Sequence, residues 1–479
     1  MNQDTPESNT LRNIRWLIWL YFWLLIFEGA LRKWVVPQLS NPILIVRDPV
    51  LLLAYFLAVR ARVFPMNKWV FALGVIGVLS TLLTFVTLWP YLRPSRIALV
   101  AGYGFRSNFL HLPLIFLVGR VLRMEDVKRF GYWTLLLMAP MAMLMVGQFR
   151  ASPDAFLNRT AGGEGEMMTA ALGKVRTAGT FSFVLGVVAF CALVTAFLVW
   201  AALKRDVYKS WVLVVAGSAL IIGISVSGSR SVVGACAVVV GSLLVIFCLR
   251  PSAVNRFGQT LIVALIFGLI VSQTPIFKEG FNVLSTRFSE VAQATEKSIG
   301  AGVVERVLSD FSESFFVLTK APFLGYGLGI GTNAGAKFLT GHNMFLLSEG
   351  EWSRVFLESG PVLGLAYVCC RIGLVFAIGL LCLRSVKAGN VLPLLLFSAS
   401  FLPLLNGQFG QPTVLGFSVL VTGLALAARK LEDDDLPPAP EAPSVGRVAG
   451  RRVVGRSAYA NRLHGSPPPR PHANGSVDR

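Results

Sequence analysis

The chain has 479 residues, of which 54% are hydrophobic and 14% are charged, and its formal net charge is +19. Soluble domains carry about 25% charged residues, so this composition excludes an ordinary soluble protein of two or three domains. The mean hydropathy of +0.65 instead indicates one integral membrane domain.

Apolar stretches long enough to cross a bilayer recur along most of the chain. They predict an all-α, polytopic membrane protein with about 12 transmembrane helices. The first apolar stretch is not followed by a small-residue cleavage site, so we expect it to be a retained span. The predicted spans are 14–31, 43–59, 69–88, 97–118, 131–149, 179–203, 211–228, 231–249, 258–275, 355–383, 391–405 and 412–428.

The basic residues are distributed unevenly between alternate connectors, which argues against a nucleic-acid-binding role for the positive charge. If the N-terminus is cytoplasmic, the connectors on that side are the more basic ones, as the positive-inside rule requires. Both termini are then cytoplasmic, and a long loop at 276–353 is extracytoplasmic. The inner connectors include Arg120, Arg123, Lys128 and Arg129, whereas a typical outer connector holds only Arg32 and Lys33.

This pattern divides the chain into two parts. Residues 1–430 form the polytopic membrane domain, which includes the extracytoplasmic loop 276–353. Residues 431–479 are rich in Pro, Ala, Gly and Arg and poor in large apolar side chains, so they predict a disordered cytoplasmic tail.

Several ionisable residues lie inside the predicted spans, where charges usually pair or line a cavity. Asp48 directly follows Arg47, which predicts local neutralisation of the two. Arg106 and His111 either form a structural ion pair or help to hold an anionic lipid carrier. Gln148, near the outer end of its span, is a candidate for contact with sugar or head groups. The charged or titratable positions are Glu28, Arg47, Asp48, Arg106, His111 and Arg371.

The long loop contains the only extended polar segment between spans. Apolar residues recur at helical spacing in 281–291 and in 303–318, which predicts amphipathic helices that lie on the outer membrane surface or pack against the bundle. The glycine-rich run GYGLGIG at 325–331 follows. A nucleotide-binding loop needs a preceding strand. The glycines therefore predict either a plain turn or backbone N–H groups that approach a lipid phosphate.

Five sequence elements follow one another in an order that resembles the O-antigen ligase and O-antigen polymerase family. They are RTAGTFS at 176–182, SGSR at 227–230, the Arg306 helix with the following PFLGYGLG at 322–329, the pair His342 and Asn343, and ESGPVLG at 358–364. The resemblance covers about 176–380. One departure is the separation of eighteen residues between His342 and Gly360, which is longer than the family usually shows and adds Glu349, Glu351 and Arg354 as candidates.

The resemblance implies an enzyme of the bacterial cytoplasmic membrane that transfers or polymerises a glycan on the outer face. The donor is a polyprenyl-diphosphate-linked glycan, and the acceptor is a glycan, a lipid or a protein. No cofactor is implied. Because no acidic metal motif lies in an outer loop, we also expect catalysis without a metal ion. A lipid-linked glycan flippase or another secondary transporter is the alternative, since many spans and buried charges also suit transport.

Candidate site residues follow from the chemistry of such a transfer. The leaving diphosphate needs fixed cations, and guanidinium groups offer a planar fork that matches phosphate oxygens. The acceptor hydroxyl needs a base, for which His342 is favoured, with Glu351 and Glu358 as the carboxylate alternatives. Asn343 is expected to orient the sugar. The arginines that fit the diphosphate are Arg176, Arg230, Arg306 and Arg354.

Overall fold

The computed structural model describes residues 6–161, 168–204, 207–251, 267–295, 312–341 and 346–430, and the regular secondary structure in these ranges is helical. The helices are α1 (Pro6–Ala30), α2 (Ser40–Ile43), α3 (Arg47–Arg60), α4 (Lys68–Leu88), α5 (Pro94–Phe105), α6 (Pro113–Val121), α7 (Met124–Arg150), α8 (Val184–Leu203), α9 (Ser210–Val226), α10 (Arg230–Leu249), α11 (Pro275–Thr295), α12 (Asn333–Thr340), α13 (Glu351–Lys387), α14 (Leu392–Asn406) and α15 (Pro412–Ala427).

Six helical segments in the described ranges are long and apolar enough to cross a membrane, which takes about 20 residues. They are Asn9–Val35, Lys68–Leu88, Met124–Arg150, Val184–Leu203, Arg230–Leu249 and Glu351–Lys387, and each coincides with a predicted span. The helices α9, α14 and α15 are apolar but shorter. The all-helical prediction is therefore confirmed for the described residues, and the apolar helices indicate a membrane protein.

The distribution of polar side chains across α4 is the reverse of that in a soluble protein. Phe71, Val78 and Leu82 are exposed, whereas Ser80 and Thr84 face the bundle and are buried. An apolar outer surface is what a helix in contact with lipid requires, because hydrocarbon solvates no polar group. By contrast, α8 is apolar on every side and most of its residues are buried, so α8 is a central helix.

Two predicted spans differ from the helices that the structure contains. The segment 97–118 is divided into α5 and α6 by the π-helical turn Arg106–Leu110 and by Pro113, which has no N–H to continue a helix. The segment 43–59 corresponds to α3, which has only 14 residues. The first half of the span 258–275, residues 258–266, lies outside the described residues, as does the whole tail 431–479.

Part of the long loop is described. The predicted amphipathic helix at 281–291 lies within α11, where Leu284 is buried but Phe281 is exposed. Of the second one, 303–311 lies outside the described residues and 312–320 is helical.

Both ends of the described chain meet at one end of the helix bundle. Arg15 Nε of α1 donates to Val121 O over 3.2 Å, and Lys430 Nζ donates to Arg120 O and Leu122 O over 2.8 and 2.7 Å. Other links, Asn390 to Ala428 O and Arg250 to Gly389 O, bring the ends of α10 and α13 to the same place. We call this the basic end, because it collects arginines and lysines from several helices.

Candidate functional site

The first turns of α13 carry three ionisable residues on one face. Glu351, Arg354 and Glu358 are spaced by three and four residues, so their side chains are neighbours on the helix. Arg354 Nη2 lies 3.0 Å from Glu351 Oε2, and Arg354 Nη1 lies 2.7 Å from Glu358 Oε2. All three are buried, with at most 4% of each residue exposed. Glu351 also lies in the first turn, where the helix dipole favours a negative charge.

Two residues from elsewhere in the fold complete this group. Arg371, from the same α13 but five turns further on, donates from Nη1 to Glu351 Oε1 over 2.9 Å. Asn108, in the π-helical turn, accepts from Arg354 Nη2 over 2.8 Å. We call Asn108, Glu351, Arg354, Glu358 and Arg371 the Glu351 cluster. Its two arginines and two glutamates balance in charge, which is the usual condition for burial.

A break in α13 lies directly beside the Glu351 cluster. Gly360 has φ 73° and ψ 173°, outside the helical region, and Pro361 follows. The break frees the carbonyls of Leu357 and Glu358 from helical bonding. They accept instead from Tyr326 N over 2.8 Å and Gly327 N over 3.0 Å.

The glycine-rich run is therefore held by backbone contacts to neighbouring helices. Gly331 N donates to Glu358 Oε1 over 2.9 Å, and Leu328 N donates to Thr84 Oγ1 over 2.8 Å. A side chain at Gly325 would collide with Glu358 O, and one at Gly329 with Val100 O. Of the two interpretations of these glycines, close packing is the one that the structure favours. The N–H groups expected to approach a lipid phosphate are bonded within the protein.

Helix α12 leads from this loop to the predicted base. Thr332 caps the helix by accepting from Gly335 N over 3.0 Å. The helix ends at Thr340, and the following Gly341, which has φ 84°, directly precedes His342 in the chain. His342, Asn343 and Arg306 themselves lie outside the described residues, so their predicted roles stay predictions. The Glu351 cluster, through Gly331, fixes the start of the segment that leads to His342.

The predicted diphosphate ligands Arg176 and Arg230 do not belong to the Glu351 cluster. Arg176 is half-buried in the segment before α8, and a side chain at Gly228 would lie 3.9 Å from its Cα. Arg230, two residues further on, starts α10 and donates from Nη1 to Arg287 O of α11 over 3.2 Å. Arg354 instead lies in the Glu351 cluster, where it forms ion pairs with Glu351 and Glu358.

A second buried group of charges lies among α1, α3 and the π-helical turn. Arg47 Nε lies 2.9 Å from Glu28 Oε2, and Arg106 pairs with Asp48. His111 Nε2 lies 3.1 Å from Asp48 Oδ1, and its Nδ1 lies 2.9 Å from Tyr21 Oη. We call Tyr21, Glu28, Arg47, Asp48, Arg106 and His111 the Asp48 cluster.

This geometry corrects one prediction and decides two others. Arg47 and Asp48 do not neutralise each other, because successive residues of a helix point in different directions and each finds a partner elsewhere. Arg106 forms a structural ion pair with Asp48, which was one of the two interpretations, and His111 is hydrogen-bonded to the same carboxylate. Gln148 is buried, donates to Leu157 O and accepts from Gly179 N, so it positions the RTAGTFS segment from inside the fold.

An apolar cavity of about 480 Å³ lies between α8, α10 and α14. Its polar lining residues include Ser231, which follows Arg230, and Gln408. Gln408 also lines a small polar recess of about 20 Å³ with Glu351 and Arg354. That recess has room for about one water molecule. The lining of the cavity thus runs from Ser231, the residue after Arg230, to Gln408, which borders the Glu351 cluster.

The buried charges limit what the two glutamates can do. Both oxygens of Glu351 accept from arginines, and those of Glu358 accept from Arg354 and Gly331 N. Removal of a proton by either carboxylate would require an ion pair to open, so in this arrangement they hold Arg354 in place. In the part of the chain that the structure describes, no group of three or more His, Cys, Asp or Glu is placed to hold a metal ion.

Sequence reasoning did not assign Asn108 or Arg371 to the site. The only signal was the presence of polar residues inside apolar spans, which marks them as paired but does not name the partner. The residues that they join are up to 246 positions apart.

No protein-family model matches the chain, and no curated protein matches it in sequence.

Proposed function

We propose that the protein is a membrane glycosyltransferase of the O-antigen ligase or polymerase kind. It transfers or polymerises a glycan from a polyprenyl-diphosphate carrier to a glycan, lipid or protein acceptor. In this proposal twelve spans place both termini in the bacterial cytoplasm and the loop 276–353 outside. The meeting of both chain ends at the basic end agrees with an even number of spans.

The observation that carries the proposal is the position of the apolar cavity. A polyprenyl chain needs an apolar space that opens towards fixed cations for its diphosphate. The cavity of about 480 Å³ is lined mainly by apolar residues. Its lining includes Ser231, which follows Arg230 in the chain, and Gln408, which also lines the recess. This arrangement fits the chain of a carrier in the cavity and its diphosphate near Arg230 and Arg176.

The residues then divide into two groups with different roles. In the proposal Arg176, Arg230 and Arg306 bind the diphosphate, His342 removes the proton of the acceptor hydroxyl, and Asn343 orients the sugar. Arg354, with Glu351 and Glu358, holds the loop and helix that lead to His342. Glu351 remains the reserve base.

The test is transfer by the purified protein in liposomes without a transmembrane gradient. We expect formation of product from a polyprenyl-diphosphate glycan and an acceptor. The His342→Ala variant should lower turnover by about 10²–10⁴-fold, which is the usual contribution of a general base. Full turnover of His342→Ala together with loss in Glu351→Gln would move the base to the carboxylate.

A cavity-filling pair of variants tests the carrier site. Gly234 lines the cavity and Gly241 does not, but both lie on α10 with nothing within 4 Å of an added Cβ. We expect Gly234→Phe to raise the KM for the carrier and Gly241→Phe to leave it unchanged. Equal kinetics of the two variants would contradict the assignment of the cavity.

The alternative is a flippase, and the charges of the Asp48 cluster inside the bundle are the feature that suits it. A flippase moves labelled carrier between leaflets and forms no glycosidic product. Movement of label without product in the same liposomes would replace the enzyme by the transporter.

A further inference from the structure

A groove of about 450 Å³ at the basic end is separate from both the Glu351 cluster and the apolar cavity. It lies between α4, α6, α13 and the end of α15. Its lining residues include Trp69, Phe116, Leu381, Leu426, Arg429 and Lys430. Among the described residues, the lining therefore combines an apolar wall with two cations and contains no carboxylate.

The apolar wall of the groove is built from residues that are fixed by packing. Trp69 is placed against the helix α13, where a side chain at Gly373 would lie 2.9 Å from the indole ring. Leu426 packs on Gly119 in the same way. Tryptophan is common at the depth of membrane head groups, where one part of the ring meets hydrocarbon and the other meets polar groups.

The two cations have different roles at the rim. Lys430 Nζ caps the end of α6 by donating to Arg120 O and Leu122 O. Arg429 donates from Nε to Ser385 Oγ over 3.3 Å, and this bond occupies one side of its guanidinium. Its Nη1 and Nη2 groups make no other hydrogen bond among the described residues. Arg429 therefore offers the fork that a phosphate group accepts.

The surroundings of the rim are positive. Burial lowers the pKa of Lys430, and the neighbouring Arg15 and Arg123 lower it further. Asp126 acts in the opposite direction, but it also lies 3.8 Å from Arg15 Nε and accepts from Arg123 N. Among the described residues at this rim, the cations Arg15, Arg123, Arg429 and Lys430 outnumber the carboxylate of Asp126.

We propose that this groove is a binding site for a phospholipid with a negatively charged head group. The phosphate lies at Arg429 and Lys430, and one acyl chain lies along Trp69, Phe116 and Leu381. A soluble anion would have no use for the apolar wall, and a neutral lipid would leave the positive rim without a counter-charge. Basic pockets between transmembrane helices are known to recognise anionic head groups in this way.

The experiment is a lipid titration of the full-length protein in detergent micelles, read out as the unfolding temperature. We expect dioleoyl phosphatidylglycerol to stabilise the protein in a saturable way and dioleoyl phosphatidylcholine to have little effect. Arg429→Gln should weaken the apparent affinity for phosphatidylglycerol about tenfold, because a charge-assisted hydrogen bond is lost.

Two variants separate lipid binding from the stability of the fold. Ser385→Ala removes the internal bond of Arg429 but keeps the cation, so its lipid affinity should equal that of the original protein. Ala377→Trp fills the groove and keeps both cations, so its response to phosphatidylglycerol should be lost.

Three results would overturn the proposal. They are an equal response to both lipids, an unchanged affinity in Arg429→Gln, and a retained response in Ala377→Trp. Stabilisation by inorganic phosphate at the same concentration as by phosphatidylglycerol would show a simple anion site and would also contradict it. None of these outcomes depends on glycan transfer.

Discussion

The two buried charge clusters differ in how fully their arginines are bonded. In the Glu351 cluster, Arg354 and Arg371 each donate from all three nitrogens to carboxylates, to Asn108 or to backbone carbonyls. In the Asp48 cluster, Arg106 donates to Asp48 and to Leu44 O, but its Nη1 is buried without a hydrogen-bond acceptor among the described residues.

The difference shows which cluster holds separate chain segments rigidly together and which does not. The Glu351 cluster joins the break in α13, the glycine-rich loop and the π-helical turn, and every guanidinium nitrogen in it donates a hydrogen bond. The Asp48 cluster shares the same π-helical turn through Arg106 but retains an unused donor. Buried donors are rarely left unbonded, and such exceptions often mark functional positions. Removal of a residue should therefore cost more in the first cluster than in the second.

The largest effect is expected from Arg354→Ala. It leaves Glu351 and Glu358 buried with their shared partner lost, which should reduce the free energy of unfolding by about 3–5 kcal/mol. Unfolding by SDS in mixed micelles measures this change. The control is Glu290→Ala, which removes the half-exposed partner of Arg287 and should cost less than about 1 kcal/mol. Similar losses in the free energy of unfolding for the two variants would show that the Glu351 cluster does not hold these segments together.

A smaller effect is expected from Gly360→Ala. Its φ of 73° disfavours a side chain, and the added Cβ would collide with Phe323 O. The strain should cost about 1–3 kcal/mol. We also expect faster protease cleavage in 322–341, because the loop docks on this break. Gly217→Ala, on a helix with open space around it, is the matched control and should leave the cleavage rate unchanged.

The smallest effect is expected from Arg106→Gln. Asp48 keeps His111 as a partner, and the substitution also removes an unsatisfied donor. The expected loss in the free energy of unfolding is therefore about 1–2 kcal/mol, below that of Arg354→Ala. A loss as large as that of Arg354→Ala would erase the difference between the clusters, whereas a gain in stability would sharpen it.

The sequence predicted helices best where the signal is local. Six predicted spans coincide with long apolar helices, because the length and composition of an apolar run are properties of the run itself. Within the predicted span 97–118, the helix is interrupted by the π-helical turn Arg106–Leu110. The apolar composition of this segment is continuous. Its interruption involves Arg106 and Asn108, whose side-chain hydrogen-bond partners lie far away in the chain.

The candidate site divides in the same way. The family resemblance and the chemistry of glycan transfer made Glu351, Arg354 and Glu358 candidates, and their spacing on one helical face is fixed by the sequence. Only the tertiary structure decided that Asn108 and Arg371 join them, that Arg47 pairs with Glu28, and that the glycines serve packing. The reason is physical. A helix can form from its own residues, but in an apolar bundle a charge or a freed carbonyl must be satisfied by whichever group the neighbouring helices bring within reach.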